Sequence, residues 1–218
     1  IVRRTGFYST DMTISIRGTN DGIEILDVFT ISAIPDEYKI EKFKFHDGTT
    51  LSFDEFWKQT YFQGTEGNDN IRGTGEGDKL YGQGGDDSIN GEGGNDIIYG
   101  GDGNDRLEGS SGNDIPYGGE GRDTLVGGSG ENILYGESGD DSLYGDNGND
   151  ILIGGAGNDR LEGSNGDDTY IFNKGDGQDT IQDFGGTDTI EFGEGISLSD
   201  LIVRRTGFYS TDMTISIR

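Results

Sequence analysis

The chain has 218 residues, and its 42 acidic side chains against 16 basic ones give a formal net charge of −26. This charge makes nucleic acids and anionic membrane surfaces poor partners and cations good ones. The absence of cysteine excludes disulfides and thiolate metal sites, and no apolar run has the length of a membrane span. Because only 29% of the residues are hydrophobic and 42 are glycine, composition alone predicts disorder.

Residues 1–62 are richer in Lys, Phe and Ile than the rest of the chain. Segments 12–17 and 23–29 flank a Gly/Asn/Asp turn, which predicts a β-hairpin. Residues 38–45 (YKIEKFKF) alternate as a further strand, and a capping box before DEFWKQ predicts a short helix near 53–59. We therefore expect a small, mixed, mostly β flanking domain.

Between Gly64 and Ile171 the chain divides into twelve nonapeptides without an insertion, from GTEGNDNIR to GSNGDDTYI. The first place is always glycine, the fourth is glycine in all but one unit, the sixth is aspartate in all but one, and the eighth is Ile or Leu in ten. The Gly- and Asx-rich places suit a tight turn with positive φ, and the last three suit a short strand with one inward side chain. This alternation predicts an all-β solenoid over 63–171, in which each unit buries its apolar residue only against its neighbours.

Two nonapeptides per coil would stack residues that lie 18 apart at the ~4.8 Å spacing of adjacent strands. The sixth places then form two columns: Asp69, Asp87, Asp105, Asp123, Asp141 and Asp159 in one, and Asp78, Asp96, Asp114, Asn132, Asp150 and Asp168 in the other. Carboxylates ~5 Å apart repel by roughly 3 kcal/mol per pair at an effective dielectric of 20. A cation between successive coils reverses the sign. The carboxylates and glycine-exposed carbonyl oxygens are hard ligands, which favour calcium over magnesium or zinc.

The units resemble the G-G-x-G-x-D-x-U-x repeat of RTX (repeat-in-toxin) haemolysin-type calcium-binding proteins. The resemblance implies a right-handed parallel β-roll with calcium between successive coils at both edges. It also implies that the eleven motif aspartates supply side-chain oxygens, while loop residues supply carbonyl oxygens. The expected carbonyl ligands are Gly82, Gly84, Gly100, Asp102, Gly118, Glu120, Gly136, Ser138, Gly154 and Ala156. The gaps between six stacked loops per edge set a ceiling of about ten calcium ions.

Every departure from the motif lies in an even-numbered unit: Glu76 at a glycine place, Pro116 and Tyr170 at core places, and Asn132 in place of aspartate. We therefore expect one regular calcium ladder and a second that weakens near these units. A flexible acidic linker is the alternative interpretation, but a linker has no reason to keep a period of nine. An EF-hand is disfavoured because no glutamate falls at its twelfth position between flanking helices.

An outward-facing stripe occupies the ninth place of the even-numbered units. Its members are Tyr81, Tyr99, Tyr117, Tyr135, Ile153 and Ile171. One interpretation is a docking surface for a glycan or a neighbouring module. The other, which we favour, is cross-strand stacking that stiffens the sheet.

Residues 172–201 leave the nine-residue phase, and their short strands and Gly/Asp turns resemble the closing segment of RTX rolls, since solenoids need caps. Asp176, Asp179, Asp183 and Asp188 are further candidate calcium ligands there, and the alternative is that each is a turn residue. Residues 1–17 recur letter for letter at 202–218. We expect a parent with head-to-tail copies of this unit and strand exchange between copies through the duplicated segment; an engineered overlap is the alternative.

The order of this cap, the duplicated segment and DEFW resembles the haemolysin-type calcium-binding protein-related domain. Catalytic motifs are absent, because His46 is the only histidine and neither HExxH nor GxSxG occurs. We expect a non-enzymatic calcium-binding repeat module that serves as a stalk or adhesive repeat. The resemblance to RTX proteins implies that the parent is a secreted bacterial protein, which leaves the cell by type I secretion and folds outside. The alternatives are an accessory domain of a secreted toxin or hydrolase, and a recognition module that uses the tyrosines of the stripe.

Overall fold

A computed structural model of the chain describes residues 2–4, 12–15, 22–25, 42–46, 48–52, 62–205 and 213–217. Regular structure in these ranges is almost entirely β-strand, with one short 3₁₀ helix at Leu198–Asp200. The helix expected near 53–59 lies outside the described residues. No helix within them is long and apolar enough to cross a membrane.

The flanking segment contributes five short strands. They are β1 (Val2–Arg4), β2 (Met12–Ser15), β3 (Gly22–Ile25), β4 (Lys42–Lys44) and β5 (Thr50–Ser52). Antiparallel pairing of β2 with β3 confirms the hairpin predicted around the Gly/Asn/Asp turn. β4 pairs with β5 in a second hairpin, and His46 is an exposed residue in its turn.

The repeats form fifteen strands together with the segments on either side of them. They are β6 (Phe62–Gln63), β7 (Asn70–Arg72), β8 (Lys79–Gly84), β9 (Ser88–Asn90), β10 (Ile97–Asp102), β11 (Arg106–Ser111), β12 (Ile115–Glu120), β13 (Thr124–Ser129), β14 (Ile133–Ser138), β15 (Ser142–Asn147), β16 (Ile151–Ala156), β17 (Arg160–Asn165), β18 (Thr169–Phe172), β19 (Thr180–Gln182) and β20 (Thr189–Phe192). Most are six residues long because each begins at the seventh place of one unit and ends at the third place of the next.

Two parallel sheets arise from the alternation of odd and even strands. One runs β20-β18-β16-β14-β12-β10-β8-β6 and continues into β1-β2-β3, and the other runs β19-β17-β15-β13-β11-β9-β7. Cα partners within the repeats lie eighteen residues apart, as in Leu107↔Leu125 and Tyr99↔Tyr117. The predicted parallel β-roll with two nonapeptides per coil is confirmed, and β19 and β20 extend it to a seventh coil.

The core lies between the two sheets and consists of two rows of side chains, one row from each sheet, with one side chain per strand. The buried apolar residues, at nine-residue steps, are Phe62, Ile71, Leu80, Ile89, Ile98, Leu107, Leu125, Leu134, Leu143, Leu152, Leu161 and Tyr170. The steps begin at Phe62, which is the eighth place of a nonapeptide that the sequence motif does not mark. Each coil thus buries only two apolar side chains, so the core alone offers little to oppose chain entropy.

Pro116 interrupts this core at a position between Ile98 and Leu134. It is buried and aligned with Ile98 of β10, but the register of β12 with β14 begins only at Tyr117. Proline has no backbone N–H to donate and is disfavoured inside a sheet. The roll therefore carries a local defect in the middle of its even-strand sheet.

Replacing Pro116 with leucine is expected to raise the free energy of unfolding by about 1–2 kcal/mol, because it restores one ladder hydrogen bond and adds buried apolar surface. Thermal unfolding in calcium should show the melting temperature rising by a few degrees. Ile98→Leu, a volume-conserving change in the same row, is the control and should have a smaller effect. A lower melting temperature for Pro116→Leu would contradict the assignment of this site as a defect.

The tyrosine stripe forms a continuous stack on the outer face of the even-strand sheet. Adjacent rings of Tyr81, Tyr99, Tyr117 and Tyr135 lie 4.7–4.9 Å apart between centroids with interplanar angles of 5–8°. Each inner ring thus covers the faces of its neighbours, and only ring edges and hydroxyl groups face outward. This geometry supports the stacking interpretation, because a glycan that stacks on aromatic faces would find them occupied.

Two further strands end the chain: β21 (Leu201–Arg205) and β22 (Met213–Ile217). They pair antiparallel with each other as a separate two-stranded sheet.

Candidate metal centre

The two aspartate columns predicted from the sequence are hydrogen-bonded ladders. In each column the backbone N–H of one sixth-place residue donates to Oδ1 of the residue one coil later, at N–O distances of 2.7–2.9 Å within the repeats. The ladders begin at Asp69 and Asp78. They run on to the cap, where Asp159 donates to Asp179 and Asp168 to Asp188, both at 3.1 Å. These bonds fix the position of each column side chain from Asp87 onward.

The second carboxylate oxygen of these residues is the unusual feature. Ten buried Oδ2 atoms accept no hydrogen bond from any described residue: those of Asp87, Asp96, Asp105, Asp114, Asp123, Asp141, Asp150, Asp159, Asp168 and Asp179. Burying a charged oxygen without a partner costs several kcal/mol, so such atoms are rare in stable proteins. Ten such atoms, arranged regularly in the two columns, indicate a ligand that binds once in each successive coil.

First-place glycines leave space beside these oxygens. A Cβ on Gly100 would lie 2.3 Å from Oδ2 of Asp105 and 2.5 Å from the carbonyl oxygen of Gly118. The same pairing of an aspartate Oδ2 with the next coil's first-place carbonyl recurs at Gly82, Gly118 and Gly136. Each of these glycines therefore borders a cradle of one carboxylate and one carbonyl oxygen that any side chain would fill.

Fourth-place glycines hold the tightest approach between coils. At Gly139, φ is +139° and a Cβ would lie 1.4 Å from the carbonyl oxygen of Gly121. No L-residue fits there, for reasons of both backbone conformation and space. These carbonyl oxygens stack along both edges and are candidate ligands in addition to those predicted from the nonapeptide pattern.

Nine of the ten carbonyl candidates named from the sequence fall into two groups, and the tenth, Gly84, is the last residue of β8. First-place carbonyls of Gly82, Gly100, Gly118, Gly136 and Gly154 lie beside a first-place glycine one coil earlier, each near that unit's carboxylate. Third-place carbonyls of Asp102, Glu120, Ser138 and Ala156 accept an N–H from the preceding coil at 2.8–2.9 Å. A carbonyl oxygen has two lone pairs, so the second group keeps one lone pair for a cation.

The first two loops differ from the rest. Oδ2 of Asp69 accepts hydrogen bonds from the backbone N–H of Thr65 at 2.5 Å and from its Oγ1 at 2.9 Å. Asp78 makes the same pair of bonds with Thr74, at 2.6 and 2.8 Å. The Oδ2 atoms of these two motif aspartates therefore have donors, whereas those of the nine later motif aspartates and of Asp179 in the cap have none.

A sequence signal for this difference exists in the second place of the unit. Elsewhere this place has positive φ, even where it is not glycine, as in Ser110 (φ 76) and Glu137 (φ 73). A β-branched threonine disfavours that conformation, and Thr65 and Thr74 are not among the described residues with positive φ. Thr74 Oγ1 also accepts the N–H of Glu76 at 3.2 Å, so the glutamate at this glycine place belongs to a different turn.

Asn132 sits in the even column with the same backbone geometry as an aspartate. Its Oδ1 accepts the N–H of Asp114 at 2.9 Å, so the ladder continues through it. The group in the Oδ2 position is the amide Nδ2, which lies 3.5 Å from the carbonyl oxygen of Gly130. An N–H₂ group donates and does not ligate a cation, so the even column contains one position without a second acidic oxygen.

The cap carries a cluster of three carboxylates at the end of the even column. One oxygen from each of Asp168, Asp183 and Asp188 lies within 4.8 Å of the others. Asp183 Oδ2 also accepts a hydrogen bond from the hydroxyl of Tyr170, which in turn accepts the N–H of Gly163 at 2.8 Å. Tyr170, a core departure in the sequence, thus links the last loop of the repeats to the cap.

Two other cap candidates have different environments. Asp179 continues the odd column and its Oδ2 is buried without a donor. Asp176 instead accepts the N–H of Asn173 at 2.6 Å and lies in a local turn. The cap thus brings Asp179 and Asp188 to the columns but leaves the carboxylate of Asp176 outside them.

Fifth-place side chains form a second ladder, which was not predicted from the nonapeptide pattern. Asp86 Oδ1 accepts the backbone N–H of Asn104 at 2.9 Å, and Asn104 Oδ1 accepts that of Arg122 at 3.0 Å. The preference for Asn and Asp at this place follows from that acceptor role. Its direction is opposite to that of the sixth-place ladder, so each loop is tied to both neighbours.

Burial raises the pKa of the column aspartates strongly when no cation neutralises them. The pKa rises to about 7 for Asp96, Asp141 and Asp150, and to about 6 for Asp87, Asp123 and Asp159. Desolvation is the largest cause, and neighbouring carboxylates add to it, while the ladder N–H lowers the pKa. The cation-free roll therefore binds protons that the unfolded chain has already released.

Without divalent cations the roll is expected to be more stable in acid than at neutral pH. A raised folded pKa gives stability that is fully present below the unfolded value of 3.8 and is lost as pH rises through about 6–7. Far-UV circular dichroism of the calcium-free chain should therefore show more β structure at about pH 4 than at about pH 8. Sodium chloride at pH 8 is the control, because it screens surface charge without protonating buried groups. β content that follows salt and not pH would contradict this assignment.

The donor set of the columns fits calcium. Each gap between coils offers carboxylate and carbonyl oxygens on a glycine-rich loop, with no sulfur or imidazole ligand among the described residues around it. Calcium takes six to eight such oxygens in a flexible geometry, whereas magnesium demands a near-ideal octahedron and retains waters. The buried, unpartnered Oδ2 atoms and the glycine-lined cradles are the features that a calcium ion would satisfy.

Comparison with protein-family models agrees with this geometry. The model of the RTX calcium-binding nonapeptide repeat (4 copies) matches residues 63–98, 81–116, 117–152, 144–178 and 175–197. The model of the haemolysin-type calcium binding protein related domain matches residues 11–55. No curated protein matches the chain. Since the repeat matches extend over more than half of the 218 residues, the chain belongs to the family of RTX calcium-binding nonapeptide repeat proteins, and its roll is a calcium-binding repeat module.

Proposed function

We propose that this module is a structural spacer of a secreted bacterial protein, which stays unfolded at low calcium and becomes a stiff rod where calcium is abundant. The observation that carries the proposal is the set of ten buried carboxylate oxygens without a donor. They make the fold depend on an ion that the chain itself does not supply. Ions that bind only the folded state stabilise it by mass action.

In this proposal the ligands are the column aspartates from the third unit onward, with the first-place carbonyl oxygens of the adjoining coils. The odd column contributes Asp87, Asp105, Asp123, Asp141, Asp159 and Asp179, and the even column contributes Asp96, Asp114, Asp150 and Asp168 with Asp183 and Asp188 of the cap. Asp69 and Asp78 take the lesser part, because Thr65 and Thr74 already donate to them. Asn132 divides the even column into two shorter series of sites.

A structural role, not a catalytic one, fits the exposed surface of the roll. Its outer faces carry the tyrosine stack and ion pairs such as Arg72–Glu92 and Arg122–Asp140. Each coil adds about 4.8 Å of length, so tandem units would separate the ends of a stalk or adhesin by a fixed distance. A fold that forms only on binding calcium outside the cell is consistent with export of the unfolded chain by type I secretion.

The calcium concentration at half-folding tests this proposal. We expect it in the range of extracellular modules, about 10⁻⁴–10⁻³ M, because the ions must offset both column repulsion and the ordering of a glycine-rich chain. Intrinsic tyrosine fluorescence and sedimentation across a calcium series would locate it. A half-folding concentration below about 10⁻⁶ M would mean that the module folds before export and would overturn the secretion-coupled part of the proposal.

A further inference from the structure

The outer face of the even-strand sheet carries a second apolar column beside the tyrosine stripe. Its members occupy the seventh place of the even-numbered units: Ile97, Ile115, Ile133 and Ile151. Ile97 pairs with Ile115 and Ile133 pairs with Ile151, so the column runs alongside the stripe at the same strand spacing. These four side chains are half-buried, as are the tyrosines of the stripe. The isoleucine column and the stripe together form one apolar surface, which we call the even face.

The even face is almost free of charge, although 27% of all residues in the chain are charged. At the seventh, ninth and second places along β8, β10, β12, β14, β16 and β18, the only charged residues are Lys79 and Glu137. The same places on strands of the odd-strand sheet carry five: Arg106, Glu108, Asp146, Arg160 and Glu162. Two outer faces built from one repeat therefore differ in charge, and the depletion on the even face is typical of a surface that is buried against a partner.

The size of the even face is close to what a specific interface needs. Six strands at ~4.8 Å spacing and six residues per strand at ~3.3 Å give a footprint of about 29 by 20 Å, or about 580 Å². Two such faces would bury about 1,200 Å² together, which is the lower limit of stable specific interfaces. At the second places, Gly101, Gly119 and Gly155 have no side chain to hold a flat partner away from the two columns.

We infer that the even face binds the even face of a second copy of this chain, so that two rolls share one apolar layer. Both surfaces then have the same spacing of rows, which allows the side chains of one sheet to lie between those of the other, as in stacked sheets about 10 Å apart. The contact uses the same surface on both partners, so it closes as a dimer. It requires a folded roll, but it depends neither on secretion nor on the proposed spacer role.

Charge explains why this contact would form only in calcium. A net charge of −26 on each copy opposes association. Each calcium ion adds two positive charges, so up to about ten ions would leave roughly −6 per chain. Calcium therefore both folds the sheet that carries the even face and removes most of the repulsion between two copies.

Other occupants fit the even face less well. Exposed Asp102 and Glu120 end β10 and β12 at its border, so an anionic membrane would meet a rim of like charge. The inner tyrosine rings already cover each other, which leaves a glycan no free aromatic face to stack on. A second even face needs neither a cationic rim nor a free ring face.

Sedimentation in saturating calcium measures the association. An interface of this area without buried ion pairs is expected to have a dissociation constant of about 10⁻⁵ M. The chain should therefore be monomeric at about 1 μM and mostly dimeric at about 100 μM. Far-UV circular dichroism of the same samples reports whether the roll has folded. A folded chain that stays monomeric at the higher concentration would overturn the inference and leave the proposed function standing.

Hydroxyl-radical labelling, read by mass spectrometry of peptides, locates the contact in the unsubstituted chain. Labelling of Tyr99, Tyr117 and Tyr135 should fall several-fold between about 1 and about 100 μM protein. Tyr144 is the internal control, because it is also a half-buried ninth-place tyrosine but lies on the odd-strand sheet, and its labelling should stay constant. Labelling of the three stripe tyrosines that does not change with concentration would overturn the inference. Uniformly low labelling would then mean that the chain covers its own even face, and uniformly high labelling that nothing covers it.

Two lysine variants test the same surface by its chemistry. Ile133→Lys places a charge on the even face, and Thr124→Lys, at the seventh place of the preceding unit, places it on the odd-strand sheet. Both variants have the same net charge, so a difference between them does not come from overall repulsion. Ile133→Lys should weaken the dimer by at least about ten-fold, because the contact would have to desolvate a charge from each copy. Thr124→Lys should change the dissociation constant by less than about two-fold.

Equal dissociation constants in two folded variants would contradict the inference. Should Ile133→Lys fail to fold in calcium, the labelling of the unsubstituted chain decides, since it requires no substitution.

Discussion

Removal of divalent cations at neutral pH is expected to abolish the roll, and calcium, but not magnesium, is expected to restore it. Ten buried carboxylate oxygens then have no donor, and the column aspartates that have released their protons stack like charges one strand spacing apart. Each coil orders eighteen residues around only two apolar side chains, so the core does not compensate. Magnesium fails in this expectation because the flexible, glycine-lined cradles do not impose an octahedron.

Far-UV circular dichroism during a calcium titration of the chelated chain is the measurement, with magnesium as the control. A cooperative rise of the β signal from a disordered baseline is the expected result, since in the proposed arrangement adjacent sites share an aspartate and each bound ion would order the next coil. A chain that is folded in chelator, or folded equally by magnesium, would show that the columns are neutralised in another way.

Substitution at two motif aspartates is expected to distinguish two kinds of loop. In one kind the aspartate Oδ2 depends on a cation, and in the other it already accepts hydrogen bonds from a threonine. Asp141→Ala removes a carboxylate whose Oδ1 holds the N–H of Asp123 and whose Oδ2 has no donor. Because this residue borders two gaps between coils, we expect a loss of about 3 kcal/mol at saturating calcium. Asp69→Ala removes only the two hydrogen bonds from Thr65, at a cost of about 1 kcal/mol.

Thermal unfolding in calcium measures this difference. At 2–4 °C per kcal/mol for a domain of this size, Asp141→Ala should lower the melting temperature by about 10 °C and Asp69→Ala by about 3 °C. The number of bound ions, counted by equilibrium dialysis, should fall for Asp141→Ala and stay constant for Asp69→Ala. Equal losses of stability and of calcium in the two variants would mean that the first loop binds calcium like the others.

The regular part of the fold was predictable because the nine-residue period is so strict. One glycine, one aspartate and one apolar residue at fixed places determine the turn, the column and the core, and Asp105 and Leu107 lie where that period puts them. The recurrence of Tyr81, Tyr99, Tyr117 and Tyr135 at eighteen-residue spacing agrees with the coil of two units that the RTX resemblance implied. Few alternative folds allow every unit of a repeat protein to bury the residue at the same place of the repeat.

The ends of the roll were less predictable, because they depend on residues at places that the motif leaves variable. Nothing in the period distinguishes Thr65 from another second-place residue until its hydrogen bonds to Asp69 are seen. The seventh coil has two extra residues, so the column step there is 20 and not 18, as between Asp159 and Asp179. Asp183 joins Asp168 and Asp188 through the fold of the cap and the position of Tyr170, which no local spacing encodes.

The alternation of odd and even strands also limits how such a gene can change in length. A duplication or deletion of one nonapeptide would transfer every later unit to the opposite sheet, so the stack of Tyr81, Tyr99, Tyr117 and Tyr135 would be split between two faces. A change of two nonapeptides keeps all eighteen-residue partners and moves only the distance between the ends. Recombination among the repeats can therefore lengthen or shorten the rod in whole coils without altering its two faces, whereas a half-coil change would exchange them.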